Sequence, residues 1–211
     1  YYKLIRNYNK PFPFDLLKML MRYSIFDGSN QQWSIGIDLY DKLSEYYDIS
    51  FELFASPLNF NMFRYCSLFK DTDFLFGSMG NFFNLTYEKL LNQNIKGVIY
   101  NPPYITNLMD SSSNYCIDLL DNMEKKEVNF IIVGFLPNWE DDNSIIRLKQ
   151  SKFLLNCTII HKGEYILQEK DKGKMIKGTF DIIYIVLHSM KNYMNDTPGQ
   201  GKIKSFKDYK K

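Results

Sequence analysis

Asn101, Pro102, Pro103 and Tyr104 follow the apolar run Gly97-Val98-Ile99-Tyr100 without a break. Those residue types, in that order, suit one chemical task. Two successive prolines lack N–H donors and fix φ, so they cannot continue a sheet ladder. The chain must turn stiffly at the carboxyl end of a strand, where open α/β sheets place their ligands. An exocyclic amino nitrogen is a poor nucleophile, because its lone pair is delocalised into the ring. The Asn101 side-chain oxygen and the Pro102 carbonyl would each accept one of its N–H groups and leave the lone pair aimed at an electrophilic methyl. Proline stiffness holds the carbonyl dipole in place beforehand. Tyr104 offers a face for stacking the base, a contact worth roughly 1–3 kcal/mol. These four are the candidate catalytic residues, and Tyr104 is also a candidate substrate contact.

A methyl donor needs its own cradle, and no G-x-G-x-x-G is present. The early strand-to-loop transition runs through Glu52, Phe54, Ala55, Ser56, Pro57 and Asn59. Small Ala55 and Ser56 let a ligand approach the backbone, Pro57 stiffens the turn, and Glu52 could meet an ammonium group. About 20 residues later Asp71 and Asp73 supply carboxylates where nucleotide-binding folds hold ribose hydroxyls. The pattern leaves open which aspartate would serve. Pro137 and Trp139 end a strand on the same sheet edge and are candidate substrate contacts. His161 and His188 end strands and read as structural or exposed.

The elements that must position these groups alternate. Residues 13–24 read as an amphipathic helix, with Phe14, Leu17 and Leu20 sharing a face and Pro11 and Pro13 at its start. Residues 36–47 read as a second helix, 49–55 as a strand, 60–69 as a short helix and 88–92 as a helical piece. Residues 97–101 form the strand before the prolines, and 106–124 the long helix after them. The continuous apolar run 129–136 suits a central strand buried on both faces. Residues 144–152 read as a helix, and 157–161 and 179–188 as strands. Lys162, Lys170, Lys172, Lys174 and Lys177 mark a solvated hairpin that could touch RNA phosphates. The resulting expectation is an α/β fold, a doubly wound and mostly parallel sheet with helices on both faces. Residues 1–48 would pack N-terminal helices on a core spanning 49–190, followed by a polar tail, 191–211.

At 211 residues and 45% hydrophobic content the chain can bury a full core. Its formal net charge of +2 is too small to argue for nucleic-acid binding from charge alone. Three scattered cysteines, Cys66, Cys116 and Cys157, argue for reduced thiols inside a cell and against a disulfide scaffold or a metal site. No apolar stretch of about 18 residues is present, so no membrane partner is expected.

N-P-P-Y resembles the catalytic motif of adenosylmethionine-dependent methyltransferases that act on amide or exocyclic amino nitrogens. Wider blocks sharpen the likeness. The order F-E-x-F-A-S-P-L-N, then R-Y-C-S-x-F-x-D-T-D-x-x-F-G-S-x-G, then N-P-P-Y, L-M-D and P-N-W resembles the phosphorylated-CTD-interacting-factor family over roughly residues 14–190. That resemblance implies a Rossmann-like methyltransferase core and S-adenosyl-L-methionine as cofactor. It implies transfer to N6 of the 2′-O-methyladenosine beside an mRNA cap, with capped RNA beginning with adenosine as partner. It also implies that Asn101 to Tyr104 take the catalytic positions, with Phe54, Ser56, Pro57, Asn59 and Asp73 near the cofactor. Tyr104 stands where Phe is usual, and Asn138 replaces the Glu of a P-E-W block. The WW module and most of the helical N-terminal region have no counterpart, which leaves cap recognition to a further module or a partner protein. A protein glutamine methyltransferase, a DNA adenine methyltransferase and a non-catalytic partner subunit remain the alternatives. The compartment, nucleus or cytoplasm, stays open.

Overall fold

The computed structural model describes residues 13–26, 32–170 and 172–190. In chain order its elements are α1 (Pro13–Tyr23), β1 (Trp33–Ile35), α2 (Ile37–Tyr47), β2 (Ile49–Glu52), β3 (Arg64–Tyr65), α3 (Lys70–Asp73), α4 (Tyr87–Asn92), β4 (Gly97–Tyr100), α5 (Thr106–Lys125), β5 (Ile131–Pro137), α6 (Asn143–Lys149), β6 (Leu154–Ile160), β7 (Ile166–Glu169), β8 (Lys174–Lys177) and β9 (Ile182–His188). The polar tail falls outside the described residues.

Six strands form the main sheet in the order β3-β2-β4-β5-β9-β6. The pairs β2–β3, β2–β4 and β4–β5 are parallel. Strand β9 runs antiparallel to both of its neighbours, β5 and β6. The sheet is therefore mixed but mostly parallel in direction, within an α/β fold. Every residue of β4 and β5 is buried, as expected of strands covered on both faces.

Side chains alternate between those faces. Val98 and Tyr100 pack with Leu90, with Met109, Cys116 and Leu120 of α5, and with Leu148 of α6. Ile99 packs on the other side, with Tyr40 and Leu43 of α2 and with Ile35 and Tyr165. Gly134 lies beside Tyr100 in the β4–β5 register. A Cβ there would come within 2.6 Å of Ile185 Cγ2, so only glycine lets the strands close at this level.

A second sheet has the order β1-β7-β8, with antiparallel pairs throughout. Its outer edges are supplied from opposite ends of the chain, residues 33–35 and 174–177. The region before residue 49 thus contributes a strand as well as helices.

Two expectations need correction. Residues 60–69 contain no helix; Arg64–Tyr65 is instead a short strand parallel to β2. Local aromatic spacing there loses to long-range bonding, because Asn61 and Met62 donate their backbone N–H groups to the Glu52 carboxylate. The face of α1 that carries Phe14, Leu17 and Leu20 is exposed, while Met19 and Tyr23 are buried against Phe76. The lysine-rich segment is a hairpin as expected, with β8 exposed along its length and β7 paired to β1.

Candidate active site

Strand β2 leads the chain outward to β3, while β4 and β5 continue in the opposite direction. The β2–β4 boundary is therefore the point where strand order reverses, and a crevice opens at the carboxyl ends of such strands. A cavity of about 690 Å³ lies there. Glu52, Phe54, Ala55, Ser56 and Asn59 line it from the end of β2, and Asn101, Pro102, Pro103 and Tyr104 from the end of β4.

The β2 loop is held from several sides. Leu53 N–H donates to the Ile99 carbonyl, and Ala55 N–H to that of Cys66, both at 2.9 Å. Asn59 Oδ1 accepts from Ser56 N–H at 2.7 Å, while Ser56 Oγ donates to Gln32 Oε1 at 2.7 Å. Phe54 packs on Phe82, centroid to centroid 4.8 Å. Cys66 lies deep beside this loop, and burial pushes its thiol up to about 12, so it stays protonated.

The N-P-P-Y turn is braced by its flanks. Tyr100 is fully buried, with its hydroxyl 2.7 Å from Ser112 Oγ of α5. Ile105 N–H closes the turn onto the Pro103 carbonyl at 2.8 Å, and α5 begins at the next residue. The Tyr104 hydroxyl lies 3.4 Å from both Asn101 Oδ1 and the Phe135 carbonyl, with its one proton shared between them. Burial raises its pKa above the ordinary range, so it remains a neutral donor.

An aromatic layer covers this end of the cavity. The Tyr104 ring meets Phe180 edge-on at 5.8 Å and Trp139 at 6.4 Å. Tyr165 clips the cover by donating its hydroxyl to the Phe180 carbonyl at 2.8 Å. Burial pushes the Tyr165 phenol up to about 12. From the small sheet, Trp33, Ser34, Leu167 and Ile176 complete the wall.

The remaining expected site residues lie elsewhere. Trp139 is 42% exposed and stands behind Tyr104, outside the cavity lining. Pro137 is buried in β5 opposite Ile182 and does not reach the cavity. Pro57 also falls outside the lining. Neither aspartate touches it. Asp71 forms an exposed ion pair with Arg22 at 2.5 Å, and that hydrogen bond holds its carboxyl below the usual range. Asp73 is fully buried and accepts from Tyr23 Oη at 2.5 Å and from Phe69 N–H at 3.3 Å. It ties α1 to the segment after β3, which is a structural arrangement. Sequence reasoning missed Gln32, Trp33 and Ser34, because their route to the cavity runs through a pairing with β7, more than a hundred residues away.

Among the described residues that line the cavity, Glu52 is the one carboxylate, and no lysine, arginine or histidine is present. The remainder is aromatic, aliphatic and neutral polar. Such a chamber suits a ligand with a positive centre and planar rings. Among the described residues no cluster of three or more His, Cys, Asp or Glu could hold a metal. No helix among them is long and apolar enough to cross a membrane.

A family model described as the phosphorylated CTD interacting factor 1 WW domain matches residues 2–170, which include both sheets apart from β8 and β9. The chain belongs to that family. Mouse and human proteins named mRNA (2′-O-methyladenosine-N(6)-)-methyltransferase are 32% and 31% identical to it over 150 residues, 70% of this chain. The chain spans about a fifth of the length of these curated relatives. In this member of the phosphorylated CTD interacting factor family, N-P-P-Y and the β2 loop share one cavity.

Proposed function

We propose that this chain carries a Rossmann-like methyltransferase site that uses S-adenosyl-L-methionine to methylate N6 of adenosine in RNA. The favoured target is the 2′-O-methyladenosine next to an mRNA 5′ cap. The observation that carries the reading is the meeting of Asn101-Pro102-Pro103-Tyr104 with the Ala55-Ser56 loop in one cavity at the β2–β4 switch point. Insertion of the reversed strand β9 between β5 and β6 supports the methyltransferase variant of the fold. The names of the mouse and human relatives support the choice of adenosine N6 and of cap-adjacent RNA.

The residues present fit the cofactor. A volume of about 690 Å³ accommodates a nucleoside with an amino-acid arm together with a flipped base. Among the described lining residues, one carboxylate and no lysine or arginine favour a net cationic molecule. When bound, S-adenosylmethionine supplies an electrophilic sulfonium methyl. Asn101 Oδ1 and the Pro102 carbonyl accept the two N–H groups of the adenine amino nitrogen and turn its lone pair toward the β2 loop. No base of high pKa is required at the nitrogen, because its proton becomes acidic only after the carbon–nitrogen bond forms. Tyr104 presents its ring to the base, and Phe180 keeps that ring from swinging. Glu52, the carboxylate among the described lining residues, would supply the counter-charge for the ammonium of the amino-acid arm. Closure by the aromatic layer excludes water and strengthens each of these polar contacts. We place the activity inside the cell, where Cys66, Cys116 and Cys157 stay reduced.

The test is incubation of the chain with labelled cofactor and three RNAs: capped with a first 2′-O-methyladenosine, capped with a first 2′-O-methylguanosine, and uncapped with a first 2′-O-methyladenosine. Digestion and mass analysis should find N6-methylated 2′-O-methyladenosine from the first RNA alone. Equal labelling of capped and uncapped RNA would remove the cap-adjacent assignment. Labelling of none would remove the RNA activity.

A further inference from the structure

The amino-acid arm of a bound cofactor is a zwitterion, and Glu52 answers only its ammonium. For its carboxylate the described lining residues offer no lysine or arginine, only neutral donors. The polar groups on that side of the cavity are mostly engaged with one another. Gln32 Oε1 takes the Ser56 hydroxyl, and the Gln32 carbonyl accepts from Asn59 Nδ2 at 3.4 Å. Asn59 Oδ1 is occupied by Ser56 N–H. Ser34 differs: it is 3% exposed, and its hydroxyl has no hydrogen-bond partner.

Burying an unpaired hydroxyl costs about 1–3 kcal/mol, and most buried side-chain polar atoms in native proteins are paired. Three such atoms without an ion-pair or hydrogen-bond partner occur among the described residues, on Ser34, Asn61 and Asn138. Of these residues only Ser34 lines the cavity. Its position is also fixed. Ser34 pairs with Gln168 across β1 and β7, and Gly36 N–H donates to the Ile166 carbonyl at 3.1 Å. The strand is stitched to the β2 loop through Gln32, which fixes Ser34 relative to that loop.

Resting on the cofactor reading above, we propose that Ser34 Oγ donates to the carboxylate of the cofactor's amino-acid arm. The small sheet is then part of the cofactor site, and Ser34 selects for an α-amino acid over a simple amine.

The experiment measures calorimetric affinity of wild type, Ser34→Ala and Ser34→Cys for two ligands. One is S-adenosylhomocysteine; the other is its decarboxylated form, which differs only by the carboxylate. Wild type should prefer the carboxylate form. Both variants should lose about 5- to 15-fold for S-adenosylhomocysteine and less than 2-fold for the decarboxylated ligand. Thermal melting of the ligand-free Ala variant should be unchanged or raised, since an unpaired group is removed. The Cys variant preserves volume and serves if Ala perturbs folding. Equal losses for both ligands, or no loss for S-adenosylhomocysteine, would overturn the role of Ser34. If wild type bound neither ligand, the cofactor reading itself would fall, which is a separate result.

Discussion

The Ser56 hydroxyl donates to the Gln32 side chain at 2.7 Å, joining the loop after β2 to the leading edge of the small sheet. Both residues are buried, and no charge takes part. Together with the Asn59 amide, which donates to the Gln32 carbonyl at 3.4 Å, this bond links two sheets that share no strand, and it does so at the cavity wall. The geometry of the candidate cofactor loop depends on a strand that the main sheet does not contain.

Replacing Asn101 with Ala is expected to lower methyl transfer by at least 100-fold, the scale seen when one preorganised polar partner is removed. Affinity for S-adenosylhomocysteine should stay within about 2-fold, because Asn101 acts on the target nitrogen. Tyr104→Phe should cost little, as the hydroxyl makes only 3.4 Å contacts, whereas Tyr104→Ala should lose the stacking face. Single-turnover rates and calorimetry check the pair; survival of transfer in the Asn101 variant would refute the assignment.

Asp71 and Asp73 should separate cleanly. Asp71→Asn removes an exposed ion pair with Arg22 and should leave both stability and cofactor affinity nearly unchanged. Asp73→Ala strands the buried Tyr23 hydroxyl and the Phe69 N–H, and should destabilise the fold by about 2–4 kcal/mol. Urea unfolding measures both. A fall in cofactor affinity for Asp71→Asn without a change in stability would restore it as a ribose contact.

Gly178 has no space for a methyl group. A Cβ there would stand 2.1 Å from the Tyr165 ring, which must then move and release the Phe180 carbonyl. Gly178→Ala is expected to reduce transfer roughly 10-fold through loss of the Phe180–Tyr104 contact, with a smaller effect on melting of the main sheet. Unchanged kinetics would mean that the cover does not act on Tyr104.

Stability should fall on mild acidification because of His188. Burial lowers its pKa from 6.5 to about 4, with Met190 donating its N–H to Nδ1 at 2.9 Å. The unfolded chain binds a proton at ordinary pH values near 6.5, and the folded chain resists it until about 4. Stability is therefore full above pH 6.5 and declines as pH falls toward 4. Between pH 7.5 and 5 the loss attributable to His188 is about 2 kcal/mol. His188→Gln should flatten that part of the urea-derived pH profile; an unaltered slope would assign the loss to other groups.

Much of this site was legible because its signals are local. Pro102 and Pro103 declare a strand end wherever they stand, and small Ala55 and Ser56 declare a close approach. The run 129–136 announces a buried strand through continuous apolarity. What escaped reading depends on distant partners. Phe60, Phe63 and Leu68 have helical spacing, but Phe63 and Leu68 are exposed and the backbone at 61–62 bonds to Glu52 instead. Trp33 to Ile35 is too short to announce a strand and becomes one only beside β7. Asp71 and Asp73 had the spacing of a ribose ligand, yet helix α1 claims both through Arg22 and Tyr23.

The β7–β8 hairpin leaves the main sheet after Ile160 and re-enters at Ile182, and those two residues are paired neighbours. It is therefore a cassette spliced between adjacent strands, with entry and exit at one point. Its length and composition can change without altering the register of β4 or the bracing of Tyr100. Changes within it would reach the reacting residues through Phe180 on the Tyr104 ring, and the small sheet's cavity wall through its pairing with β1.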